Sequence, residues 1–179
     1  MKQLPLLAIL VLISWGQSYG QSDTPIFIGI QPGITIEPFY EKGEFDLNIL
    51  PLVFEASVSQ RINIRITPTV NYHFGGATNG VSDVGASVVL PVFFKAKDTK
   101  ADRPYGFYLG PVIGFGRNFI NDHYTTTVAA EPGYMFETKN RFTISMGLQL
   151  GGSYFSYDEA PEKWVSHFGP KFSFGFWIN

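Results

Sequence analysis

From residue 26 onward the chain alternates apolar and polar positions in eight runs, at about 26–37, 49–58, 62–72, 84–95, 104–117, 124–137, 141–155 and 165–178. In the third run Ile62, Ile64, Ile66, Pro68, Val70 and Tyr72 share one parity, and Asn63, Arg65, Thr67, Thr69 and Asn71 share the other. Side chains of a strand alternate with period two, so each run predicts a ribbon with one apolar and one polar face. Most runs are longer than the ~5–6 residues usual in globular sheets and match the ~9–11 needed to cross a bilayer at a tilt. The expected fold is therefore all-β, an eight-stranded antiparallel up-and-down transmembrane β-barrel.

Connection lengths support that arrangement. Those at 60–61, 96–103 and 139–140 are short or of medium length, whereas 38–48, 73–83, 118–123 and 156–164 are longer or richer in loop residues. Short turns at one end and long loops at the other are the asymmetry of outer-membrane barrels. A soluble, lipocalin-like barrel is the rival. It would turn Ile62, Ile64 and Ile66 into a cavity and the charged residues toward water.

The N-terminus changes the picture by adding an address. Lys2 precedes an apolar run over 4–13, and Ser18 and Gly20 stand at −3 and −1 of a cut before Gln21. That layout predicts a secretory signal peptide over 1–20 and a barrel domain over 21–179. With no cysteine, neither a disulfide framework nor a lipoprotein lipidation site is available. Aromatic content is 16%, and the rings gather near strand ends, as interfacial girdles require. The formal charge of −2 with no basic stripe speaks against nucleic acid.

Parity also names the lumen. Glu55, Arg65, Glu131 and Lys171 fall on the polar face near mid-strand, and a turn centred on Gln60 sets Glu55 directly opposite Arg65. An eight-stranded barrel has an interior that side chains fill, and charges buried there must pair. The expectation is a neutral polar plug, static or acting as the gate of a narrow pore. Seven prolines, including Pro32, Pro51, Pro91 and Pro170, fall inside the runs and predict bulges or local breaks in the ladder.

A signal peptide, eight amphipathic strands, a Glu/Arg/Lys interior and the aromatic final run 168–178 together resemble the small outer-membrane barrels of the OmpA-transmembrane and OmpX type, porin-like in build. The resemblance is architectural. It implies residence in a bacterial outer membrane among lipids and lipopolysaccharide, as a monomer. It also implies a last strand read by the barrel assembly machinery through Phe172, Phe174, Phe176 and Trp177. The chain ends in Asn179 where such barrels carry a terminal aromatic.

Candidate chemistry is thin. His73, His123 and His167 are expected at the outer rim, solvated, with spacing that fits no metal-ligand motif. Ser166 and His167 are strand neighbours on opposite faces, which rules them out as a dyad. The order His123, Thr125, Glu131 has a deacylase-like arrangement but lacks the serine of a nucleophile. Catalysis and cofactors are therefore not expected, and a lipid-A-modifying outer-membrane enzyme that uses rim residues is the lesser alternative. Glu41, Glu44, Asp46, Asp158, Glu159 and Glu162 make the first and last long loops acidic, a surface suited to cations or a partner.

Overall fold

The computed structural model describes residues 25–36, 40–75, 79–96, 103–138, 141–157 and 161–178, with Glu137 described by its backbone alone. The strands are β1 (Ile26–Ile30), β2 (Ile34–Thr35), β3 (Phe45–Asn48), β4 (Leu52–Ser57), β5 (Asn63–Phe74), β6 (Gly80–Val89), β7 (Val92–Phe93), β8 (Gly106–Asn118), β9 (His123–Glu137), β10 (Phe142–Tyr157) and β11 (Lys163–Ile178). They form eight staves, because β1 with β2, β3 with β4, and β6 with β7 are halves of interrupted strands. Each stave pairs antiparallel with its neighbours, and β1 pairs with both β4 and β11 to close the ring. Glu55 does stand opposite Arg65.

Three prolines account for the interruptions. Pro32 lies between β1 and β2, Pro51 between β3 and β4, and Pro91 between β6 and β7. A proline has no N–H to give to a ladder, so a strand with partners on both sides pauses there. Across the Pro51 break the register slips: Phe54 faces Ile66, whereas Asn48 faces Asn71, a one-residue shift. Pro68, Pro111, Pro132 and Pro170 remain inside continuous strands. Beside Pro132 the β9–β10 ladder skips from Gly147↔Gly133 to Leu150↔Ala130.

The sequence parity is realised inside out relative to a soluble protein. Ile62, Ile64 and Ile66 are 38%, 36% and 45% exposed, and Arg65 between them is 1% exposed. Ile28, Phe54, Leu109, Ile113, Val128, Leu150 and Phe172 continue the exposed apolar surface around the barrel. Their polar neighbours in sequence point inward. The lipocalin-like arrangement is thus overturned by the facing of the third run. Among the described residues no helix is long and apolar enough to cross a membrane.

The lumen is filled in layers. At the end holding the chain termini of the barrel, Phe27, Val53, Phe93, Tyr108, Met135 and Trp177 form a buried apolar cluster. Trp177 therefore turns inward, at 2% exposure, and is separate from the outward row of Phe172 and Phe176. Phe174 takes the outward parity of that row, half-buried. Arg141 is exposed in the β9–β10 turn with φ 60°.

Candidate functional site

Arg65 is the hub of the central layer. Its Nε donates to Glu55 Oε2 at 2.6 Å and its Nη1 to Glu131 Oε1 at 2.7 Å. Nη1 also reaches the Tyr108 hydroxyl at 3.2 Å, and Nη2 reaches Ser145 Oγ at 3.3 Å. The Tyr108 hydroxyl donates to Glu131 Oε1 at 2.8 Å. Asn63 Nδ2 donates to the other oxygen of Glu55, and Gln149 Nε2 to the other oxygen of Glu131 at 2.7 Å. Every oxygen of both carboxylates is thus bonded, the condition under which buried charges are tolerated.

Two glycines make this packing possible. A Cβ on Gly147 would lie 2.8 Å from Glu131 Oε1, so the carboxylate rests on the bare backbone of β10. A Cβ on Gly133 would collide with the Tyr108 ring. Of the four expected network residues, Glu55, Arg65 and Glu131 are joined directly. Lys171 stands apart from them, with no hydrogen bond or ion pair to a described residue. Asn63 joins Arg65 from the same polar parity of the third run, whereas Tyr108 and Ser145 were not singled out by the sequence. Period two would have found them, since Ser145 shares parity with Thr143 and Tyr108 with Gly110.

Two of the three histidines, His73 and His123, are buried, and His167 is half-buried on the lumen side. His73 is 5% exposed, with Nδ1 2.8 Å from Asp46 Oδ1 and the Tyr40 ring edge-on at 4.9 Å. His123 is 3% exposed between the rings of Phe155 and Tyr157. His167 faces the lumen, where Nε2 lies 3.2 Å from Gln149 Oε1 and Nδ1 lies 3.4 Å from Ser153 Oγ. Gln149 gives its amide N–H to Glu131, so its oxygen must accept. Neutral His167 therefore carries its proton on Nε2. His123 and Glu131 serve different layers, so the order His123, Thr125, Glu131 assembles no triad.

The acidic loop also differs from expectation at Asp46. Gly43, with φ 97°, turns the chain back early, and Asp46 becomes a fully buried member of β3. Its carboxylate accepts from Tyr40 (2.8 Å) and Ser82 (2.7 Å) as well as meeting His73. Glu41 and Glu162 are exposed, and the Glu44 carboxylate caps the Glu41 N–H at 2.8 Å. Asp158 and Glu159 lie outside the described residues.

Between the central layer and the Asp46 cluster lies a cavity of about 410 Å³. Thr69, Ser87, Gly114, Thr127, Gln149 and Lys171 are on its wall. No protein-family model and no curated protein matches this chain.

Proposed function

We propose that this chain is an integral outer-membrane β-barrel protein with a plugged polar lumen, acting structurally or as a surface binder through its outer loops. One observation carries the reading: a closed barrel whose outer surface is Ile, Leu, Val and Phe and whose Arg65, Glu55 and Glu131 are buried and paired within. Water penalises such a surface by about 25 cal/mol for each Å² of apolar area, and a bilayer removes the penalty. The apolar run over 4–13, ahead of a small-residue cut site, supports export with removal of residues 1–20. The outward Phe172 and Phe176 of the last strand suit the barrel assembly machinery, and the exposed Glu41 and Glu162 suit cations held by lipopolysaccharide.

Fractionation tests the reading. The expected protein begins at Gln21, stays with carbonate-washed membranes, needs detergent for release, and migrates differently on a gel before and after boiling. Recovery in the soluble fraction would end the proposal.

The second reading is a narrow pore gated by exchange of the Arg65 pairs. It is favoured by the cavity that leads down to the plug. A lipid-modifying enzyme has less support, because the serine–histidine pair Ser153 and His167 is long at 3.4 Å and faces the lumen.

A further inference from the structure

The ring of strands is closed by hydrogen bonds over only part of its height. Ile26–Ile30 of β1 pair with positions 174–178 of β11. Beyond them the first stave leans the other way: β2 pairs with β3, and among the described residues no ladder joins β2 to β11. The outer half of the wall is therefore a curved sheet with two facing edges.

Both edges carry a proline turned toward the gap. The Trp177 N–H bonds Arg141 C=O, and the β10–β11 ladder runs on without a slip. Odd positions of β11 thus address β10, and even positions, Pro170 included, address the first stave. Likewise the Gln31 N–H bonds Pro51 C=O, so Pro32 addresses β11. At each of these positions the donor that would stitch the seam is missing, which keeps edges apart.

The 410 Å³ cavity opens through this gap. Its wall includes inward residues of β11, among them His167 and Lys171, together with outward ones, Phe168 and Pro170, and Ile34 and Ile36 of the opposite edge. Ile34, Ile36 and Phe168 are 69%, 74% and 68% exposed, an apolar lip. Behind the lip stands Lys171, which also borders a second space of about 50 Å³. Its ammonium makes no hydrogen bond or ion pair with a described residue, and both oxygens of Glu131 are already committed. Asp83, the acid on the far wall, accepts from Asn118.

We propose that this seam is a lateral entry for a membrane amphiphile with a phosphate-bearing anionic headgroup. The headgroup enters the polar cavity and pairs with Lys171, while the acyl chain stays outside on Ile34, Ile36 and Phe168. The inference rests on the membrane reading above, and the fractionation experiment fails independently of it.

Native mass spectrometry of the detergent-refolded protein tests the site, with heat-dependent gel mobility confirming the fold of each variant. Wild type is expected to retain one phosphatidylglycerol at least tenfold more than phosphatidylcholine. Lys171→Met loses that preference and Lys171→Arg keeps it. Joining Ile34→Cys to Phe168→Cys with a short thiol cross-linker blocks lipid uptake but leaves inorganic phosphate binding, read by phosphorus NMR line width. Equal retention of the two lipids, or an unchanged Lys171→Met, overturns the site. Phosphate binding without lipid by wild type, whose seam is open, or lipid uptake through the cross-linked seam, overturns lateral entry.

Discussion

At the scale of single residues, Arg65 holds the centre of the molecule, and its worth depends on what is left behind when it goes. Arg65→Met strands two carboxylates in the lumen, and removing one partner of a buried charge cluster costs about 3–5 kcal/mol. Changing Glu55 and Glu131 to Gln in the same chain removes the stranded charges and is expected to recover most of that loss. Urea unfolding from lipid vesicles measures both, and equal losses would show that the charges are not coupled. Gly147→Ala pushes a methyl into Glu131 and is expected to cost about 1–3 kcal/mol by the same assay. The Glu55–Arg65 pair was legible in the sequence because a tight turn at Gln60 fixes their register. The Asp46–His73 pair was hidden, because it depends on Gly43 starting β3 earlier than the alternation shows.

At the scale of strands, the apolar parity makes a quantitative claim about surroundings. Ile113→Arg places a guanidinium on the belt at the middle of β8, where a lipid-facing cation costs about 2–4 kcal/mol. Val58→Arg, beside the β4–β5 turn and 60% exposed, is expected to cost about 0–1 kcal/mol. Refolding titrations into phosphatidylcholine vesicles separate the two, and a harmless Ile113→Arg would mean that the belt does not meet lipid. All eight runs were readable as staves because their facing is uniform. Which prolines would break them was not. Pro91 interrupts its strand and Pro111 does not, although both sit amid apolar residues, and the difference lies in ladder partners that a single sequence does not display.

For the whole molecule, two barriers lie in series along the axis. The charged layer around Arg65 sits on the apolar cluster of Phe27, Phe93 and Trp177, with the Arg103 guanidinium 5.9 Å from the Trp177 ring centre. Glu55→Ala loosens only the first. Planar bilayer recordings are therefore expected to be silent for wild type and for Glu55→Ala alike. Stable openings in either would favour the pore reading. The apolar layer was out of reach of the sequence, because Phe27, Phe93 and Trp177 look like interfacial aromatics until the barrel closes around them.

That closure has a kinetic consequence. The β1–β11 joint holds five paired positions, whereas β10 and β11 share fourteen. It brings Gly29 against Gly175, so near that a Cβ on Gly175 would collide with the Ile28 carbonyl. These partners are separated by almost the entire barrel sequence, and contacts between distant positions are entropically the costliest to form. The joint between the two ends of the chain is thus the last to zip and the first to come undone. A Gly175→Val chain is expected to fold up to an open sheet of hairpins and stall there.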